Sequence, residues 1–392
     1  MRILINNVRN AENYNDVSQI EIENSVIKNV CYGLNNFIEN TGAIKLDFSN
    51  ALAFPGLINS HDHLEFNLFP KLGSRFYKNY VEWGDDIHSL FQDKIERVKK
   101  IPYELRFKWG LYKNLICGVA TVVHHGNGAV FNFRHLPVVY TGFNYLHSIR
   151  LEKRWKIKLN TFFNDLPVAV HIGEGIDNES EREIDKLINW NIFRKKLVGV
   201  HAISLKERQC RNFRAIVWCP DSNLFLYNQT ADIQTLKKQT KILFGTDSAL
   251  SADWNIWNQL RLARNLNLLT DEELYNSLTE TASDIWRLNL AGKISANKKA
   301  DIVVAKKKSD DYWKSFYSIN PEDILLIIKN GEIVFIDEEL QNEQRAITEK
   351  DFDLVSINSV RKYITAGICN LMLSIQNYIP EYNFPVKPVK KF

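Results

Sequence analysis

Four short pieces of this chain carry residue types able to do chemistry, and they come in one order: His61-Asp62-His63, His171-Ile172-Gly173-Glu174, His201 and Gly245-Thr246-Asp247-Ser248. Each lies at or just past the end of a short apolar run that reads as a strand. Three imidazoles and one carboxylate drawn from distant points can close on one divalent ion. A glutamate and a further histidine are then left beside it. A metal that lowers the pKa of water, next to a carboxylate that can carry a proton, is the inventory for hydrolysis.

Local spacing supports the grouping. Residues two apart on a strand point the same way, so His61 and His63 can reach one ion. His171 ends the run Pro167-Val168-Ala169-Val170, and Glu174 follows three residues later, with Gly173 and Gly175 allowing a tight backbone path. His201 ends Leu197-Val198-Gly199-Val200, where it could bind metal or polarise the atom under attack. Asp247 follows the run Lys241–Thr246, and a carboxylate there can bind metal and accept a proton from water. Taken singly, each fits an ordinary polar residue at a strand end. Four in step argue for one site.

The elements that must hold these residues apart and then bring them together form an alternating pattern. Strands are expected at 54–60, 119–124, 136–143, 166–171, 197–201, 215–219 and 242–246. Helices are expected at 103–115, 180–190, 254–265 and 271–288, the last opened by Thr270 with Glu273 three residues on. Such alternation predicts a parallel barrel or a doubly wound sheet. Only seven strands stand out, and the span 125–165 is short for the two strand–helix units it must hold. Both chain ends read as short strands, and Asn330-Gly331 between two apolar runs signals a hairpin. Residues 1–54 and 291–355 therefore form one small β-domain in this reading, 55–290 the barrel, and 356–392 a helical extension, able to cover the barrel or form a homodimer contact.

Bulk properties exclude several classes. A hydrophobic content of 45% and a charged content of 24% are those of a globular protein, and a net charge of +4 with mixed signs argues against nucleic acid. Cys31, Cys117, Cys210, Cys219 and Cys369 lack CxxC spacing, which fits a reducing compartment without a disulfide framework. No run has the length of a signal peptide core or a membrane span. A cytoplasmic protein with no membrane partner is expected.

Pro55-Gly56-Leu57-Ile58-Asn59-Ser60-His61-Asp62-His63, followed by His171-x-x-Glu174, His201 and Gly245-Thr246-Asp247-Ser248, resembles the amidohydrolase superfamily. The HxxE form is similar to its branch of cytosine deaminases, adenosine-type deaminases and triazine chlorohydrolases. Cys219-Pro220-Asp221-Ser222-Asn223-Leu224 and the stretches 291–294 and 300–304 extend the likeness over roughly residues 50–305. The resemblance implies an α/β fold: a distorted TIM (β/α)8 barrel with a small β-sandwich domain. It implies one divalent metal, zinc by default with iron or manganese as alternatives, held by His61, His63, His171 and Asp247. Glu174, His201 and Asp247 would be catalytic.

The leading expectation is an aminohydrolase that uses metal-activated hydroxide to release ammonia from a small amino-substituted heterocycle. A cyclic-amide C–N hydrolase and a non-catalytic scaffold are the alternatives, and the complete ligand set argues against the scaffold. No lysine stands at a strand end where a carbamate could bridge two metals, so a mononuclear site is expected. Trp83, Asn228 and Trp254, in loops expected over the barrel mouth, are the substrate-binding candidates, the two indoles by stacking on a flat ring. His124 and His125 have no assigned role. His88 and His147 read as helical and are likewise unassigned.

Overall fold

The computed structural model describes residues 2–11, 14–33, 42–126, 128–161 and 163–389. Both chain ends pair into a ladder of ten strands. From the N-terminal end come β1 (Arg2–Arg9), β2 (Ser18–Glu23), β3 (Val26–Tyr32) and β4 (Ile44–Pro55). The middle of the chain supplies eight more strands: β5 (Leu57–Asp62), β6 (Val119–His124), β7 (Val138–Tyr140), β8 (Asn144–Ser148), β9 (Val168–Ile172), β10 (Leu197–His201), β11 (Phe213–Trp218) and β12 (Lys241–Phe244). The ladder is completed by β13 (Ile302–Lys306), β14 (Ile324–Lys329), β15 (Glu332–Asp337), β16 (Phe352–Ile357), β17 (Val360–Thr365) and β18 (Val386–Pro388). Its order is β18-β16-β17-β15-β14-β13-β4-β1-β2-β3.

Period-two alternation buries one face of this ladder. Ile3 and Ile5 of β1, Ile20 and Ile22 of β2, Ile302 and Val304 of β13, and Leu326 and Ile328 of β14 share one apolar core. The strands expected to form a sandwich are thus connected as one continuous ladder around that core. Asn330 and Gly331 both take positive φ, 52° and 76°, as the expected two-residue hairpin requires. Residues 356–392, expected as a helical extension, instead supply β17 and β18 to the ladder, with one helix at Ile368–Gln376 between them. Val360–Thr365 pairs with β15 and β16, with Lys362 through Thr365 buried, and the helix follows it.

The eight middle strands pair in parallel as two arcs, β5-β6-β7 and β12-β11-β10-β9-β8. Their inward positions, among them Ile58, Val123, Ala169, Val200, Val217 and Leu243, meet in one buried cluster. The eighth strand, missing from the sequence pattern, is Asn144–Ser148. It follows β7 after only three residues and with no helix between them, which is why the span 125–165 looked compressed. Helices at Tyr103–Ile116, Asn178–Trp190 and Ile256–Asn265 alternate with these strands, and the helix Pro220–Tyr227 follows β11 at the strand ends. The helix expected at 271–288 is split at Ser277–Thr279 into Asp271–Asn276 and Glu280–Ile285, and Thr270 does form the capping box with Glu273.

A candidate metal centre at the strand ends

The three imidazoles read from the sequence converge. His171 Nε2 lies 3.3 Å from both His61 Nε2 and His63 Nε2. Asp247 Oδ1 lies 3.9 Å from both His61 Nε2 and His63 Nε2. His61, on β5, and His63, just past it, point to one side as strand geometry dictates, with ring centroids 4.9 Å apart. His201 closes the group from the end of β10, and its ring nitrogen can join His61 and His171 around one ion. His201 and Asp247 hold left-handed φ of 66° and 55°, a conformation uncommon outside glycine and one that collects at functional sites.

Hydrogen bonds fix which nitrogens face inward. His171 Nδ1 lies 2.9 Å from the carbonyl oxygen of His147, an acceptor only. It therefore donates, and in the neutral ring the lone pair is left on Nε2, aimed at His61 and His63. His201 Nδ1 likewise meets Asn223 Oδ1 at 2.9 Å. Burial holds the imidazoles of His61 and His171 well below the usual histidine range, with neighbouring histidines adding to the effect, so both are neutral. Neutral rings with converging lone pairs and an adjacent carboxylate are the donor set of a divalent cation, and the residues present fit a metal.

Asp247 is buried, which pushes its carboxyl up, but His63, His201 and the hydroxyls of Ser222 and Ser251 outweigh burial and keep it below the ordinary aspartate value. Both hydroxyls donate to Oδ2 at 2.8 Å, leaving Oδ1 toward the histidines. Glu174 behaves oppositely. Burial raises its pKa, and Asp247 nearby adds to the rise against an opposing pull from His201. Tyr227 donates to Glu174 Oε1 at 3.0 Å, and Oε2 lies 3.8 Å from His201 Nε2. A carboxyl shifted upward beside a metal-type donor set is suited to take up and return a proton.

A second layer of contacts ties the ligands to the frame. The wholly buried carboxylate of Asp62, between His61 and His63, accepts from Lys113 Nζ, Asn114 Nδ2 and Asn67 Nδ2, each at 2.8 Å. Asn59 reaches across from β5 to the strand-end loop of β12, donating to Thr246 Oγ1 at 2.7 Å and accepting from the Thr246 N–H at 3.0 Å. Asn67 Oδ1 accepts from the Ala249 N–H at 3.1 Å. Gly245 belongs to the same junction, where a Cβ would lie 2.7 Å from His61 Cβ.

A cavity of about 230 Å³ opens over the cluster. Its floor carries His63, His171, Glu174, His201 and Asp247, and Phe66, Tyr80, Trp83, Ile87 and Leu250 form much of its wall. Trp83 takes its expected place there, with its indole N–H committed to the Leu72 carbonyl at 2.8 Å, so only its ring surface is offered. On the same helix, Tyr80–Leu90, Gly84 also lines the cavity, and a Cβ there would meet nothing within 4 Å.

Asn228 and Trp254 do not line this cavity. Asn228 is exposed and takes φ of 51° to end the helix Pro220–Tyr227. Trp254 borders a separate cleft with Trp109 and Phe384, because its loop turns outward to let Asn255 cap the helix Ile256–Asn265. The roles missed on the helix Pro220–Tyr227 are those of Asn223, bonded to His201, and Tyr227, bonded to Glu174. Pro220 at its first turn and the four-residue spacing of Asn223 and Tyr227 place both on one face, and that spacing was the available signal. His147, expected in a helix, sits on β8 and lines the cavity. His88 lines it from the helix Tyr80–Leu90. His124 and His125 do not line it. His124 lies beside Phe107 and Glu65, and His125 packs on His171 with ring centroids 4.2 Å apart.

Residues 154–334 match the amidohydrolase family. The chain is 21% identical to the 5-methylthioadenosine/S-adenosylhomocysteine deaminase of Caldanaerobacter subterraneus subsp. tengcongensis, over 76% of this chain and 84% of that protein. It is 22% identical to the enzyme of the same name from Caldicellulosiruptor saccharolyticus, over 89% and 94%. Among solved structures, it superposes with a zinc-bound adenosine deaminase from Xanthomonas campestris at a TM-score of 0.66, 14% identity and coverage of 97% and 98%. With a zinc complex of atrazine chlorohydrolase from Arthrobacter aurescens the TM-score is 0.68, again at 14% identity, covering 96% and 100%. The family match covers the second half of the middle strands, and the similar proteins include deaminases and triazine hydrolases whose fold this chain shares.

Proposed function

We propose that this protein is a mononuclear metal-dependent aminohydrolase that releases ammonia from an amino-substituted heterocycle. The observation that carries the reading is the convergence of three imidazole nitrogens and Asp247 on one point, with Glu174 and His201 beside it. In this reading His61, His63, His171 and Asp247 hold the metal. A divalent ion bound there, zinc by the example of the neighbours, supplies Lewis-acid activation of water.

The protein side of the chemistry belongs to two groups. Glu174, kept protonatable by burial, takes a proton from the attacking water and returns it to the departing nitrogen. The Tyr227 hydroxyl holds Oε1, and His201 Nε2 stands 3.8 Å from Oε2. His201, steadied through Nδ1 by Asn223, presents Nε2 toward the ring atom under attack. Asp247, kept ionised by its hydroxyl partners, helps to hold the water proton.

Elemental analysis and ammonia release test the reading together. Wild type is expected to carry about one ion per chain, and His61→Ala to lose it. Glu174→Gln is expected to keep the ion while turnover falls roughly 10²–10⁴-fold. Undiminished turnover in metal-loaded Glu174→Gln would remove the proton-carrier role. Two ions per chain would point to a different hydrolase chemistry.

A further inference from the structure

Away from the metal centre, one stretch of surface combines exposed apolar side chains with cations. Two segments build it: the short helix Trp155–Asn160 with the residues after it, and the end of the helix Asn178–Trp190 with the turn that leads into β10. Trp155 and Leu159 are buried and hold the first segment to the core. Ile157 is left outside, 63% exposed, and beyond it Phe163 is 90% exposed. The second segment adds Trp190, and Ile192 and Phe193 at 63% each. Asn160 Nδ2 donates to the Trp190 carbonyl at 2.8 Å, and Lys156 Nζ lies 4.1 Å from the Trp190 ring centroid, so the two segments form one surface. Phe163 and Phe193 border the same cleft, of about 450 Å³. Exposed apolar residues scattered singly need no explanation, but a contiguous group rimmed by polar residues marks an interaction surface.

The charges around this group have one sign left over. Lys158 is paired with Glu152 at 2.7 Å and Lys196 with Asp165 at 2.9 Å. Lys153, Arg154, Lys156 and Arg194 are exposed, and among the described residues no carboxylate lies within ion-pair distance of them. A partner must therefore bring negative charge and also accept apolar side chains. An anionic lipid surface does both, since its headgroups attract Lys and Arg while its interfacial zone takes up Trp, Phe and Ile. A second copy docked about a two-fold axis would set these cations against themselves. A single nucleic-acid strand would use the ring faces but leave Ile157 and Ile192 without a partner.

The position of the patch suits docking by an enzyme. Residues 164–166 lead into β9 and residues 195–196 into β10, and the far ends of those two strands carry His171 and His201. The patch thus lies at the opposite end of the strands from the metal centre, and a surface bound there leaves the cavity facing solution.

We infer that this patch docks the protein peripherally on an anionic membrane, Phe163 and Phe193 entering the interface and Lys153, Arg154, Lys156 and Arg194 meeting the headgroups. This differs from the expectation of no membrane partner, because the two segments lie apart in the chain and neither alone reads as an amphipathic membrane helix. It is independent of the aminohydrolase reading.

Co-sedimentation of the full-length protein with vesicles tests the inference. Vesicles of equal parts phosphatidylglycerol and phosphatidylcholine are compared with phosphatidylcholine alone. Binding is expected to the anionic vesicles only, and to fall as salt rises from about 0.1 M to about 1 M, where screening shortens to roughly 3 Å. Phe163→Ser with Phe193→Ser is expected to weaken partitioning on the order of tenfold. Lys153→Glu with Arg194→Glu is expected to act in the same direction, because each cation near a negative surface contributes. Both double variants change exposed side chains distant from the cavity, so Tm and metal content should match wild type. No binding to anionic vesicles, or binding that ignores the Phe163 and Phe193 changes, overturns the inference. So does a dimer in sedimentation velocity that the phenylalanine variant abolishes, or single-stranded RNA bound more tightly than the anionic vesicles.

Discussion

At the scale of single residues, the site is governed by which proton each group holds. Glu174 owes its raised pKa first to burial, and the Tyr227 hydroxyl opposes the rise by donating to the ionised form. Tyr227→Phe removes that donor, so the Glu174 pKa moves further up. If ionised Glu174 is the base, the acid limb of the kcat/KM profile shifts to higher pH, and a pH series on both proteins reads the shift directly. Glu183 offers a test by stability. Buried beneath the Gly173 turn and bonded to Arg150, it is raised to about 7, burial outweighing the guanidinium. A carboxyl whose folded pKa exceeds its unfolded value near 4.5 adds stability below pH 4.5 and loses it as pH climbs through 7. Wild type should therefore lose stability relative to Glu183→Gln between pH 4.5 and 7, measured by denaturant midpoints across that window. The convergence of His61, His63, His171 and Asp247 was legible because each is one residue type at one kind of place, a strand end. Asn223 and Tyr227 were not, since their roles depend on which side of a short helix faces the barrel. Trp254 misled because an aromatic close in sequence to Asp247 is turned away by a helix cap.

At the scale of elements, the join between β12 and β5 is the telling one. The parallel ladder stops at each of these strands, and the proposed ligands His61 and His63 lie across the gap from Asp247. Asn59 and Asn67 bridge it with side-chain amides, and the Asp247 N–H donates to the His61 carbonyl at 3.1 Å. In the proposed metal site, two asparagines thus hold the two sides together by hydrogen bonds to Thr246 and Ala249. Asn59→Ala leaves the Thr246 N–H and hydroxyl without this partner at a buried position, at a cost of about 1–3 kcal/mol. It should also weaken metal affinity roughly 10–100-fold, as loss of supporting hydrogen bonds does elsewhere, with competition against a chelator as the readout. A metal affinity equal to wild type would show that the ligands need no such bridge. Strand periodicity predicted the elements on both sides, but side-chain bridges between distant strands leave no periodic trace. The missing eighth strand had a different cause: sequence patterns count strands by the helices that separate them, and β7 and β8 have none.

Across the whole molecule, the C-terminal tail reaches the metal centre through one helix. Phe384 packs on Trp109 with ring centroids 4.6 Å apart, and the Tyr112 hydroxyl donates to the Ala366 carbonyl at 3.1 Å. Trp109 and Tyr112 lie on the helix Tyr103–Ile116, whose Lys113 and Asn114 hold Asp62 between His61 and His63. Phe384→Ala should cost about 3–5 kcal/mol, since the ring is nearly fully buried. A lowered Tm with faster metal loss would connect tail and site, whereas a lowered Tm with unchanged metal release would confine the tail to general packing. Among the described residues no helix is long and apolar enough to cross a membrane.

Gly84 gives the entrance an adjustable character. A glycine within a helix is worth roughly 1 kcal/mol less than alanine, and this one has open space where a side chain would grow. The space belongs to the cavity. One codon therefore sets an exchange between a firmer helix and a wider door: alanine would strengthen the helix with little loss of room, and each larger residue would narrow the range of rings admitted.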